Sequence, residues 1–582
     1  MTTTRSGFTK LAAVCIAILL GAVVWELGWP LTRAEHEWSR LIAAVATLGH
    51  LTGILGSYFR KEINRPSLRL LIFQIISCLM IFLLIAREQQ EAGYMRFTEL
   101  SRLMITAGLI AIPTLMSLTR IFEWLVGKQK KAGLLWPPPC RFVASLGVVI
   151  LAGTGLLLLP NSTYPGITLS FTDALFTSTS AVCVTGLNAV DFAHTFTPLG
   201  EMFTLALIQI GGFGIMTFAY FVAMVAGQGF SLRDRVLLTD LLDEGNLGAV
   251  VSFITTIVVS TLFIELCGAV LLYFSWEGKD INLMGEPLWW HSLFHSVSAF
   301  CNAGFSTFPM NLMEPGIRLC YSGQAVIMAL IVCGGLGFGI YKEINSRLAN
   351  RFFSKHRRLH MQWTPYFKLV MISTGILLAG GALAIFAVSS PHAAEPLGEH
   401  LWICLFDSVT ARTAGFNISD YGRYLPAASL IMCGLMMVGG SPGGTAGGMR
   451  TTTCAIAGAE ILRILRGRDH VEFFRRRIDQ RTVARCVITV VVSCAWIGCF
   501  TVLICALEPS MSSLDIFFEN CSAFATVGVS RGITPDLSGP SKYLLIVNML
   551  SGRVGLFAFL IALAGTPTPR HYRYPSVKIP LT

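Results

Sequence analysis

Apolar runs of close to twenty residues alternate with short polar and basic stretches along nearly the whole chain of 582 residues. About 20 predominantly apolar residues are what an α-helix needs to cross the hydrocarbon layer. The pattern therefore predicts an all-α polytopic membrane protein. Four runs come first, at about 9–31, 40–58, 67–86 and 100–126. The first follows Arg5 and Lys10 as a signal peptide would, but no small-residue cleavage site follows it, so it reads as a retained helix. Four crossings return the chain to its starting side, where Pro137-Pro138-Pro139 marks a boundary.

Beyond that boundary the pattern repeats. Each unit is a long apolar helix, a shorter amphipathic segment, a glycine-centred turn and a second long helix. The turns read Ser180-Ala-Val-Cys-Val-Thr-Gly186-Leu187, Ser298-Ala-Phe-Cys-Asn-Ala-Gly304-Phe305, Val409-Thr-Ala-Arg-Thr-Ala-Gly415-Phe416 and Ser522-Ala-Phe-Ala-Thr-Val-Gly528-Val529. Their glycines follow one another at steps of 118, 111 and 113 residues. The chain thus divides into an N-terminal four-helix membrane region at 1–135 and units at 136–240, 241–360, 361–480 and 481–582, the last with the C-terminal tail. Segments such as Phe171 to Ser180 and Leu401 to Thr410 are too short to span. They suit re-entrant helices, and each unit then starts and ends on one side, so four units can surround a pseudo-fourfold axis along the membrane normal.

Composition agrees: 53% of residues are hydrophobic and 13% charged, against about 25% charged in soluble domains. The formal charge of +11 raises nucleic acid as a partner. The basic residues, however, cluster in short loops, at Arg60-Lys61, Lys128 to Lys131, Arg347 to Arg358 and Arg475 to Arg477, as cytoplasmic loops do. That placement argues against nucleic acid. It puts the protein in the cytoplasmic (inner) membrane, and the basic stretches Arg347 to His360 and Arg463 to Arg485 offer docking surface to a regulator or, equally, to anionic lipid headgroups. None of the sixteen cysteines forms a C-x-x-C pair, so they read as small buried hydrophobes.

Extended backbone at membrane depth is tolerated only where protein buries it or where it lines a watery cavity. Four turns on one axis would ring it with carbonyl oxygens, which can replace the hydration shell of a cation. Glycine in each turn admits strained backbone angles, and short helices ending there point their negative ends inward. The candidate filter residues are Val182, Cys183, Val184, Thr185 and Gly186; Cys301, Asn302, Ala303 and Gly304; Arg412, Thr413, Ala414 and Gly415; and Ala525, Thr526, Val527 and Gly528. Close helix packing is the alternative use of glycine, assigned here to Gly211, Gly212, Gly335 and Gly337.

These turns resemble the filter turns of the Trk/Ktr/HKT superfamily of potassium transporters. So do Gln209-Ile-Gly-Gly-Phe-Gly, Gly334-Gly-Leu-Gly-Phe, Gly552-Arg-Val-Gly and Tyr572-Arg-Tyr-Pro. Within it the chain is most similar to ion-translocating subunits of the KtrB/TrkH kind, over about residues 140–582. The resemblance implies potassium uptake with potassium at the filter carbonyls, a homodimer, and a separate cytoplasmic nucleotide-binding regulatory subunit of the TrkA/KtrA type. It implies no covalently bound cofactor. The four leading helices depart from the minimal pattern of such subunits.

The second helix of the third unit, from about Leu425 to Leu465, would be roughly 60 Å long if continuous. Its middle carries Gly439, Gly440, Ser441, Pro442, Gly443, Gly444, Thr445, Gly447 and Gly448, which cannot hold a helix. A flexible gate below the filter is the expectation, and a passive kink the alternative. Arg553 lies in an otherwise apolar helix, where an arginine costs at least about 2.5–3.5 kcal/mol unless it meets water or a partner. It is expected to face the cavity as an electrostatic barrier and to bind the gate loop; snorkelling or a structural pair is the alternative. Arg412 is expected to point behind the filter and brace it. Asp173, Asp407, Asp515 and Glu519 either enrich cations at the outer mouth or cap helices.

His291 and His295, with Cys301 nearby, raise a metalloenzyme. No paired carboxylate or H-E-x-x-H pattern supports one, and pore-helix packing explains both histidines. A sodium-conducting or sodium/potassium co-transporting relative is the closer alternative, favoured by serine where this chain has Gly186. A non-conducting scaffold subunit is disfavoured by four intact turns.

Overall fold

A computed structural model describes residues 138–214, 250–353, 363–389 and 396–564, with isolated positions between 14 and 52. The third and fourth leading runs, the basic stretches before residue 132, Lys355 to Arg358 and the tail at Tyr572 lie outside the described residues.

The helices are α1 (Pro138–Leu157), α2 (Phe171–Cys183), α3 (Pro198–Phe213), α4 (Val250–Trp276), α5 (Leu288–Cys301), α6 (Tyr321–Gly335), α7 (Phe338–Phe353), α8 (Pro365–Val388), α9 (Leu397–Thr410), α10 (Pro426–Met437), α11 (Thr451–Leu465), α12 (Gln480–Leu507), α13 (Ser513–Ala525), α14 (Gly539–Val554) and α15 (Leu556–Ala564). A two-residue antiparallel pair, Glu472–Phe473 with Arg476–Arg477, joins α11 to α12. Among the described residues, α4, α8 and α12 are long and apolar enough to cross a membrane, and α6 with α7 forms a broken span. Their starts are written locally. Thr197 and Thr364 accept from the backbone N–H of Gly200 and Phe367, with Pro198 and Pro365 in the first helical position.

α2, α5, α9 and α13 have 13, 14, 14 and 13 residues, about 20 Å each, too short to span. Each packs against the long helix before it by one recurring bond. Ser178, Ser296, Ser408 and Asn520 donate to the carbonyls of Ile150, Glu265, Leu378 and Ile497, at 2.7, 2.6, 2.8 and 2.8 Å. Gly153, Gly268 and Gly381 make room: a Cβ on any of them would lie within 2.5 Å of the serine hydroxyl.

Each short helix also packs on the second helix of the neighbouring unit: α5 on α3, α9 on α6, α13 on α10 and α2 on α14. The last contact returns to the first unit, so the packing closes on itself. At every seam the fourth residue of the second helix holds the next unit. Glu201 accepts from Trp290 Nε1 at 2.7 Å, and Gln324 accepts from Trp402 Nε1 at 2.6 Å. Ser429 accepts from Arg531 Nη1 at 2.5 Å, and Lys542 Nζ donates to Asp173 at 2.8 Å.

Candidate ion filter and intramembrane gate

The short helices stop for a conformational reason. Val184, Asn302, Thr413 and Thr526 are left-handed, with φ between 51° and 71°, and each lies two residues before a turn glycine. Such residues cost of order 1–3 kcal/mol and persist where the surroundings hold them. Here the holding groups belong to the turns. Thr185 N donates to Ser180 O and Gly186 N to Ser180 Oγ, at 2.8 and 3.0 Å. Val527 N and Gly528 N do the same with Ser522, at 2.9 and 3.1 Å. In the second and third turns the hydroxyls of Ser298 and Thr410 donate instead to the carbonyls of Phe305 and Phe416.

The four glycines meet. A Cβ on Gly186 would lie 2.4 Å from the carbonyl oxygen of Ala303, and one on Gly304 would lie 2.7 Å from that of Ala414. One on Gly415 would lie 2.7 Å from that of Val527, and one on Gly528 would lie 2.1 Å from that of Thr185. Their φ angles are +96°, +71°, +80° and +92°. Sterics and backbone angle therefore both exclude a side chain at all four positions. The carbonyls of Thr185, Ala303, Ala414 and Val527 accept no hydrogen bond among the described residues. These four oxygens thus lie at one closed junction of the four turns.

Within the sets expected from the sequence, Val182, Cys183, Cys301 and Ala525 belong to the last turns of α2, α5 and α13. The non-helical part starts at Val184, Asn302 and Thr526, and in the third unit at Ala411. The hydroxyl of Thr413 donates to the Asn302 side-chain oxygen at 3.3 Å, joining the second and third turns. Arg412 is buried, and among the described residues its Nη1 has no hydrogen-bond partner, so no brace is made there through that nitrogen. The histidines are spent on hydroxyls of the segment that follows the second turn. Nδ1 of His291 meets Thr307 Oγ1 at 2.6 Å, and Nε2 of His295 meets Ser306 Oγ at 2.9 Å.

Residues 438–450 break the third second helix between α10 and α11. Ser441 N donates to Gly335 O at 2.9 Å and Thr445 Oγ1 to Phe300 O at 3.3 Å. Tyr366 OH donates to Pro442 O at 2.9 Å, and Phe338 N to Gly443 O at 3.0 Å. A Cβ on Gly447 would lie 2.1 Å from Thr526 Oγ1, and one on Gly448 would lie 3.1 Å from Ala525 Cα. The loop is therefore wedged between the ends of α5, α6 and α13, next to the second and fourth turns. The guanidinium of Arg553, on α14, donates through Nη1 to Thr445 O and through Nη2 to Gly211 O on α3.

Gly211 and Gly212 pack closely as expected: built Cβ atoms would lie 2.2 Å from Val182 O and 2.4 Å from Cys301 Sγ. Gly337 also packs closely, a built Cβ lying 2.5 Å from Pro442 O, and it serves a second purpose as well. Its φ is +90°, and α6 and α7 turn by 94° beside it. A Cβ on Gly335 would meet nothing nearer than the Asn302 side chain at 3.7 Å, although its carbonyl takes the Ser441 N–H. Gly214 and Gly555 end α3 and α14 with φ of 75° and 90°. Breaks thus occur in other second helices besides the third. The signal was the glycine two or three residues past each Gly-Gly or Gly-Arg pair, overlooked because those runs remain apolar.

The family model described as TrkH, cation transport protein, matches residues 144–574. The Ktr system potassium uptake protein B of Bacillus subtilis (strain 168) is 34% identical over 78% of this chain and 99% of its own length. That of Vibrio alginolyticus is 35% identical, over 75% and 93%. The potassium/sodium uptake protein NtpJ of Enterococcus hirae is 33% identical, over 76% and 97%. The crystal structure of the potassium transporter TrkH from Vibrio parahaemolyticus shares the fold, with a TM-score of 0.57 at 16% identity, covering 97% of this chain and 99% of that one. These relatives are ion transporters, not enzymes. The chain is a multi-pass membrane protein and belongs to the TrkH family of cation transport proteins.

Proposed function

We propose that this chain takes up potassium across the cytoplasmic membrane through a filter made by its four turns. The architecture in this reading is four units of helix, pore helix and helix around a pseudo-fourfold pore, with the boundaries given above and a preceding four-helix region. The observation that carries it is the closed contact of Gly186, Gly304, Gly415 and Gly528, each against the next turn's donor-free carbonyl. Stripping a cation of water costs tens of kcal/mol in a low-dielectric medium, and those oxygens offset that cost.

In the same reading the loop 439–448 is the gate and Arg553 its latch and barrier. The guanidinium sits at the loop with donors committed to two carbonyls from different parts of the chain, and its charge opposes a cation passing below the filter. The chain acts as a homodimer. It works with a cytoplasmic regulatory subunit of the TrkA/KtrA type, which carries the nucleotide; the relatives named as parts of a Ktr system support that pairing. Potassium is held at the filter carbonyls, and the chain carries no covalently bound cofactor.

Growth rescue of a potassium-uptake-deficient strain, with potassium titrated in the presence and absence of sodium, tests the reading. Rescue at low potassium is expected, and no rescue overturns it. Sodium/potassium co-transport is the second reading, favoured by the similarity to the potassium/sodium uptake protein. It predicts sodium-dependent rescue.

A further inference from the structure

One residue before the Ser178, Ser296, Ser408 and Asn520 bonds, the short helices carry Thr177, His295, Asp407 and Glu519. All four are buried, with Asp407 at 0% and Glu519 at 1% exposure. Asp407 and Glu519 lie one helical turn before Thr410 and Ser522, whose hydroxyls hold the third and fourth turns. They are therefore behind the turns and not at the outer mouth.

Their partners are donors. Asp407 accepts from Tyr421 OH at 2.8 Å and from Tyr424 OH. Glu519 accepts from Ser530 Oγ, from Arg531 N at 3.0 Å and from Thr534 Oγ1 at 3.0 Å. The Ser530 oxygen itself accepts from Gly532 N at 2.8 Å, which leaves its proton for Glu519. Among the described residues neither carboxyl is in an ion pair: Arg531 gives its guanidinium to Asp515, Nε to Oδ1 at 2.6 Å. The equivalent positions of the first two units are neutral in kind. His295 has a partner on each ring nitrogen, and Thr177 Oγ1 has none among the described residues.

We propose that Asp407 and Glu519 are ionised carboxylates fixed behind the third and fourth turns, and that their charge sets the affinity of the ring for its cation. This rests on the reading of the turns as a filter. Burial disfavours the ionised form of a carboxyl, whereas donors and a nearby opposite charge favour it, and an isolated buried charge is costly unless an opposite charge lies in reach. The cation in the ring supplies that charge. The field is lopsided, strong on the side of the third and fourth units and weak on the other.

The test uses the full chain in proteoliposomes, with rubidium isotope as the probe and Asp407→Asn, Glu519→Gln and the double variant compared. Each single variant keeps the shape and loses the charge. The expected result is a rise in apparent KM of roughly three- to tenfold per charge, larger in the double variant, with maximal rate largely kept. Glu519→Asp, which keeps the charge, restores a KM near the original. Tyr421→Phe and Tyr424→Phe remove bonds but no charge; they lower thermal stability without that KM rise. A KM for D407N and E519Q within about twofold of the original overturns the proposal. If D407N fails to fold, E519Q alone decides. Absence of rubidium uptake by the unaltered chain overturns the parent reading instead, so the two failures are distinguishable.

Discussion

Arg553 donates a hydrogen bond to the carbonyl of Thr445, and its other terminal nitrogen reaches Gly211. One side chain thereby ties the broken segment of the third unit to helices of the fourth and first. A hydrogen bond to a charged group contributes about 1.5–3 kcal/mol, which is enough to hold a two-state segment mostly in one position.

Arg553→Ala should therefore raise potassium flux through the isolated subunit by roughly tenfold or more. Isotope flux in proteoliposomes measures it, and conductance equal to the unaltered chain would remove both latch and barrier. Arg553→Lys, a single point charge with no planar fork, should fall between.

Shortening the segment 439–448 by three residues that include Thr445 deletes the acceptor and leaves Arg553 in place. Flux through the isolated subunit should rise in the same direction. Unchanged flux would make the segment a passive kink.

Gly186→Ser places a side chain 2.4 Å from the Ala303 carbonyl at φ +96°. It should cost of order 1–3 kcal/mol in stability and shift the potassium-to-sodium uptake ratio toward sodium. Gly147→Ala is the matched control, since a Cβ there meets nothing within 4 Å. It should gain up to about 1 kcal/mol in helix stability and leave the ratio alone.

Asp173 and Lys542 close the seam between the first and fourth units at 2.8 Å, with side chains 20% and 10% exposed. A double-mutant cycle with Asp173→Asn and Lys542→Met should give a coupling of about 1 kcal/mol in thermal unfolding. A coupling of zero would leave that seam to apolar packing alone.

Glu508 follows α12, and bonds from Ser538 and Ser541 hold its carboxyl below the usual carboxylate range. Its folded pKa is depressed, so its contribution is present above the unfolded value of about 4.3 and is lost as pH falls through the folded one. Glu508→Gln should flatten the acid limb of thermal stability below about pH 4.3 and change little at pH 7.

Most of the architecture was legible in the order of residues. A spanning helix must be apolar for its whole length, so run length marks α4, α8 and α12, but not the second helices α3, α6, α10 and α14, which have 16, 15, 12 and 16 residues. Four glycines at near-equal steps mark the turns because only glycine fits a positive φ against a neighbouring carbonyl. The Gly439–Gly448 break and an arginine in an apolar helix are equally plain, since both violate what the membrane tolerates. Other matters needed the tertiary structure. The carbonyl next to Gly528 belongs to Thr185, more than 340 residues earlier in the chain, and no local pattern encodes that closure. The helix breaks at Gly337 and Gly555 are not legible until the backbone angles are seen. Asp407 and Glu519 look like mouth or cap residues in sequence. Only their burial and their surrounding donors, brought in from other segments, place them behind the turns, because where a charge lies in the field of a pore depends on which segments fold around it.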